Sequence, residues 1–192
     1  MTCIAGIVCK NGDILMAADS AATTDCGDQK ILKDRKIFIN GPMCIGMVES
    51  IRMGQLLRYS LKIPDFPKGM SVSTFMSTLF INEVRRCFKE GGFGNSDPDD
   101  KAHTEGETGG FFLVGFEGRL FVIQNDYAVC ESSTSYAAMG SGEPFALGSL
   151  HSTEKFADKI SEKKRLTLAL DAAATFSAYV APPYRFIRFP NK

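Results

Sequence analysis

The sequence predicts an α+β fold in which helices cover the outer faces of two stacked antiparallel sheets. Three observations predict it. Short apolar runs joined by tight-turn signals fill much of the first fifty residues. Paired stretches with apolar residues at helical spacing follow, so the order reads strands, two helices, strands, two helices, strand. No internal repeat and no linker-like segment interrupts the 192 residues, and a single domain over 1–192 is expected.

Each element has its own signal. Cys3 to Val8 is a β-rich run, and Lys10-Asn11-Gly12-Asp13 predicts a two-residue type I′ hairpin turn. Ile14 to Ala18 is almost wholly apolar, as expected for a strand covered on both faces. Lys30 to Leu32, the charged-apolar alternation Arg35 to Ile39, and the apolar run Met43 to Val48 complete a predicted antiparallel meander. Ser50 to Leu61 reads as a helix with Ile51, Leu56, Leu57 and Leu61 inward. Ser71 is the N-cap of a second helix, whose stripe includes Val72, Phe75, Met76, Leu79, Phe80, Val84, Cys87 and Phe88. Gly91-Gly92 stops it, and a long polar loop with an acidic run follows. That run lacks the ligand spacing of a calcium loop.

Phe111 to Val114, Arg119 to Ile123 and Tyr127 to Val129 are predicted strands, with a turn at Glu117-Gly118. Tyr136 to Met139 leads to a Gly140-Ser141-Gly142 corner and a helix from Glu143, with Pro144 in its first turn. The last helix spans about Ser161 to Tyr179, with Leu166, Leu170, Ala173 and Phe176 inward. Ala181-Pro182-Pro183 ends it, and Tyr184 to Phe189 is the final strand.

Composition removes several functions. Lys+Arg and Asp+Glu are equal at 22 each, which argues against a general binder of nucleic acid or anionic membrane. No apolar run is long enough for a membrane span. The six cysteines form no C-x-x-C pair, and His103 and His151 are the two histidines, so no metal or cofactor is expected. With no secretion signal in view, a cytoplasmic, thiol-preserving compartment is expected.

The first six residues, Met1-Thr2-Cys3-Ile4-Ala5-Gly6, run straight into a strand. Removal of Met1 would make Thr2 the N-terminus, with a hydroxyl nucleophile and a free α-amine in one residue. Such an amine has a reference pKa of about 7.7–8.0 and accepts a proton near neutral pH. A hydrolase of this kind also needs a cation, a carboxylate to fix it, and backbone donors for an oxyanion. Asp19, Lys36, Gly46 and Ser141 are the candidates. Each also has a plain structural role available: turn cap, solvated strand face, bulge and helix N-cap.

The joint pattern resembles the proteasome-type N-terminal nucleophile (Ntn) hydrolases. The resemblance is carried by Thr-Cys-Ile-Ala-Gly-Ile, Asn-Gly, Ala-Ala-Asp, Asp34-Arg35-Lys36-Ile37-Phe38, Ile45-Gly46 before a helix, and Met139-Gly140-Ser141-Gly142-Glu143-Pro144-Phe145-Ala146-Leu147-Gly148. It extends to proteasome β subunits, their simpler bacterial peptidase relative, and small proteasome-like proteins of bacteria and phages. It implies a four-layer α-β-β-α sandwich assembled into a homo-oligomeric ring or stacked rings. It implies hydrolysis of polypeptide, with an unfoldase ATPase as a frequent partner. Thr2 would be the nucleophile and its amine the base. Asp19 and Lys36 would be charged partners, Gly46 the oxyanion N–H, and Ser141 a support for the amine. Ile45 would lie near the substrate pocket, implying an apolar preference.

Three features depart from that pattern. The Asp-x-x-Ser that usually ends the late helix is here Ser177-Ala178-Tyr179-Val180. Counting from Asn11-Gly12 and Asp19 can place Cys3 at the nucleophile position, whereas Ala5-Gly6-Ile7 places Thr2 there with one extra hairpin residue. A retained Met1 would block the amine. Two alternatives therefore stand beside the threonine peptidase: an inactive proteasome-like scaffold or interaction protein, phage-encoded among its possible origins, and an amidase acting on a small amide.

Overall fold

The computed structural model describes residues 2–23, 28–93 and 109–191. Met1, Cys26, His103 and the acidic run at 97–100 lie outside the described residues. The strands are β1 (Cys3–Val8), β2 (Ile14–Ala18), β3 (Ala21–Thr23), β4 (Gln29–Ile31), β5 (Ile37–Asn40), β6 (Met43–Met47), β7 (Phe112–Phe116), β8 (Arg119–Ile123), β9 (Val129–Glu131), β10 (Tyr136–Gly140) and β11 (Arg185–Phe189). The helices are α1 (Ile51–Tyr59), α2 (Val72–Phe75), α3 (Ile81–Glu90), α4 (Glu143–Glu154) and α5 (Glu162–Phe176). A π-helical turn, Met76–Phe80, joins α2 to α3.

Two antiparallel sheets form the centre. One has the order β10-β1-β2-β11 and the other β5-β6-β7-β8-β9, while β3 and β4 make a separate two-stranded ribbon. Strand alternation sorts the side chains into layers. On β1 and β2, Cys3, Ala5, Ile7, Leu15 and Ala17 pack with Leu150, Leu166 and Leu170 of α4 and α5. Ile4, Ile14 and Met16 face the other way, against Cys44, Leu113 and Leu120 of the second sheet. On that sheet's far side, Met43, Ile45 and Met47 pack against α1, α2 and α3. The result is the expected four-layer α-β-β-α sandwich.

The elements nearest the site form for local reasons. Ser50, Ser71 and Ser161 each accept a bond from the backbone N–H three residues on, capping α1, α2 and α5. The β1–β2 turn differs from the expected type I′ form. Gly12 N–H reaches Cys9 O, Cys9 N–H reaches Asp13 O, and Gly12 alone is left-handed at φ +85°. This is a type I turn closed by a glycine bulge, one residue longer than a two-residue hairpin.

Other expectations need correction. The early strands do not form one meander: β1 and β2 lie in one sheet, β5 and β6 in the other. Ile51, Leu79 and Phe176 are exposed rather than inward. The π turn explains the shift around Leu79, since its extra residue rotates the later stripe so that Ile81 and Val84 turn inward. Phe176 stands at the end of α5 and stacks on Phe145 at 5.4 Å. Among the described residues, no helix is long and apolar enough to cross a membrane.

Candidate active site

The peptide group between Thr2 and Cys3 is held on both sides. The Thr2 carbonyl accepts from Ser141 Oγ at 3.3 Å and from Gly142 N–H at 3.5 Å. The Cys3 N–H donates to Asp19 Oδ1 at 3.1 Å. Gly140 makes the first contact possible. Its φ is +98°, and a Cβ there would stand 2.1 Å from the Thr2 oxygen. The β10–α4 corner thus clamps the first described residue of the chain.

Asp19 directly follows β2 and is almost wholly buried. Its Oδ1 also accepts from Lys36 Nζ at 2.7 Å, while Oδ2 accepts from the N–H groups of Ala21 at 2.9 Å and Ala181 at 3.4 Å. The carboxylate's acceptor sites are therefore filled, as a buried charge requires. Lys36 precedes β5, and its carbonyl accepts from Met47 N–H at 2.9 Å. Burial pushes the Lys36 ammonium below its ordinary range, and the Asp19 charge pulls it back up.

Thr2 and Lys36 line one cleft of about 90 Å³, walled by Ala21–Thr23 on one side and Met47–Ser50 on the other. Asp19 and Ser141 bond directly to the groups beside it, so four of the five predicted site residues come together. Gly46 does not join them. It is buried inside β6, and its absent Cβ makes room for the other sheet: a Cβ would meet Ile4 Cγ2 at 2.9 Å and Met16 Sδ at 3.0 Å. The bond from Val48 N–H to Phe111 O sets the register in which Gly46 pairs with Leu113, so the Gly46 N–H is used in the sheet. Ile45 likewise faces the α1–α3 layer at 0% exposure, and Met47 takes its expected place beside the cleft.

Sequence reasoning missed Glu49. It is a left-handed residue at φ +65°, bridged by Ser50 N–H to Val48 O at 2.8 Å. Among the described residues, its own N–H makes no hydrogen bond, and it lines the cleft with Thr2. No sequence signal marks it, because a backbone N–H is common to every residue but proline. Ser177, noted for lacking a carboxylate, donates its hydroxyl to Ser141 Oγ at 3.5 Å. Cys3 points away from the cleft into the α4–α5 layer at 0% exposure, and burial together with the Asp19 charge pushes its thiol up to about 12.

A larger cavity of about 600 Å³ lies elsewhere, between β8–β10 and α4, where Tyr136 Oη meets His151 Nδ1 at 3.2 Å. It contains none of the predicted site residues. Among the described residues, no cluster of histidine, cysteine and acidic side chains could hold a metal ion.

These layers and this strand order define the proteasome-type Ntn hydrolase fold. Thiobacillus denitrificans BPH in complex with epoxomicin is similar over the whole length: 100% of each chain is covered at TM-score 0.76 and 19% identity. A second structure of the same protein gives 0.77 and 21%, covering 100% of this chain and 99% of that one. Eukaryotic HslV from Trypanosoma brucei covers 97% of this chain and 98% of its own at 0.65 and 15%. This chain matches no protein-family model and no curated protein.

Proposed function

We propose that this protein is a threonine peptidase that hydrolyses polypeptides, with Thr2 as nucleophile once Met1 is removed. One observation carries the reading: Thr2 shares a cleft with the buried Lys36–Asp19 pair, at 2.7 Å, on a peptide group clamped from both sides. Thr2 Oγ attacks the scissile carbonyl carbon, and the freed α-amine takes its proton. The amine then gives that proton to the leaving nitrogen, and water hydrolyses the resulting ester. The ammonium of Lys36 stabilises negative charge developing on Thr2 Oγ, and Asp19 fixes that cation. Glu49 N–H, rather than Gly46 N–H, is the oxyanion donor, because it is the one without a partner among the described residues. The inward burial of Cys3 supports Thr2 over Cys3 as nucleophile.

The reading extends to a single domain in a homo-oligomeric ring that accepts substrate from an unfoldase ATPase. Its support is the fold shared with HslV and BPH. The competing reading is an inactive scaffold, favoured by the Ser177 hydroxyl where a carboxylate usually stands. Intact mass after treatment with an inhibitor directed at N-terminal threonine separates the two, with epoxomicin as a further probe. The peptidase reading expects a Met1-free species with an adduct that Thr2→Ala abolishes. Finding only Met1-bearing, unmodified protein would establish the scaffold reading.

A further inference from the structure

We propose that the Glu49 side chain makes this cleft select polypeptides with a lysine or arginine within one or two residues of the scissile bond. The inference rests on the cleft being a polypeptide site. Two charged residues line that cleft, Lys36 and Glu49. Lys36 is paired with Asp19 at 2.7 Å. Glu49 is exposed, and among the described residues its carboxylate makes neither an ion pair nor a hydrogen bond. The nearby cations of α1 are engaged elsewhere: Arg52 donates to Gly91 O at 3.3 Å, and Arg58 donates to Arg35 O at 2.5 Å while lying 4.4 Å from the Phe38 ring centre. Of the side chains that line the cleft, Glu49 therefore carries the one charge without an ion-pair partner among the described residues.

The backbone fixes where that charge sits. Glu49 is left-handed and lines the cleft, so its side chain leaves from a residue of the cleft wall. A long basic side chain flanking the scissile carbonyl reaches the carboxylate without entering the core. The floor offers no competing charge, since Met47 and Val48 are apolar and buried. Because Glu49 is exposed, water and salt weaken the attraction, so a preference of about 3- to 5-fold is expected rather than an absolute requirement.

The test compares two fluorescent peptides that differ only in lysine or norleucine beside the central bond. Their binding to Thr2→Ala protein is read by anisotropy, which needs no turnover. The lysine peptide should bind about 3- to 5-fold tighter in low salt, and the difference should shrink as ionic strength approaches about 1 M. Adding Glu49→Gln should bring the two peptides level. Equal binding to the Thr2→Ala protein, no binding of either peptide, or a lysine preference that survives Glu49→Gln would overturn the assignment. The peptidase reading is scored separately, by the inhibitor adduct on the native chain.

Discussion

Asp19 gathers donors from four separate stretches of chain: Cys3, Ala21, Lys36 and Ala181. Removing Lys36 would leave a buried carboxylate without its counter-charge. Lys36→Met should therefore cost about 3–5 kcal/mol, measured by denaturant unfolding. Gly46→Ala tests a different constraint, because its Cβ would press on Ile4 and Met16. It should destabilise by about 1–3 kcal/mol through overpacking, with no direct effect on the cleft. At Glu49 the backbone is the variable. Glu49→Gly relieves a left-handed side chain and should raise stability by about 1 kcal/mol. Glu49→Val disfavours that conformation, and kcat should fall by about 10²-fold if its N–H holds the oxyanion. Peptide hydrolysis should rise with pH through about 7–8, because the α-amine acts only when deprotonated. A rate that is flat across that range would remove the amine from the mechanism. The placement of Thr2, Asp19, Lys36 and Ser141 was legible because each carries distinctive side-chain chemistry. Glu49 was not, because a backbone N–H has no letter of its own.

At the scale of elements, the β1–β2 turn is tied to the C-terminal segment. Asp13 accepts from the Asn191 N–H at 3.2 Å and from Arg188 Nη1 at 3.2 Å. The Asn11 side chain, then Asn191, then Arg188 hold its carboxyl below the ordinary value near 3.8. A depressed carboxyl stabilises the fold above that value and loses its contribution as pH falls through its lower folded value. Asp13→Asn should therefore lower the melting temperature at pH 7 and leave it nearly unchanged well below pH 3.8, by thermal scans at both. A pH-independent difference would mean that packing, not ionisation, is responsible. The start at Ser71 was readable because a serine cap is a local signal, and the structure shows the same cap at Ser50 and Ser161. The π turn was not readable. It is set by how Phe75, Phe80 and Phe88 must all reach one core, and that is a tertiary demand.

At the scale of the molecule, the order of strands and helices was enough to read the four layers. The assignment of each early strand to a sheet was not, because β5 pairs with β6 across a tight turn whichever layer holds them. The exposed Phe145–Phe176 stack and the 600 Å³ cavity were equally invisible, since the first depends on how α4 packs beside α5 and the second on how α4 packs beside β8–β10. The bond from Ala181 N–H to Asp19 spans 162 residues, and β11 completes its sheet beside β2. During synthesis, the segment bearing Thr2, Asp19 and Lys36 emerges long before that partner exists. The cleft therefore reaches its finished geometry only when nearly all of these residues have been made, so the peptidase proposed above would have no completed site in a partly built molecule.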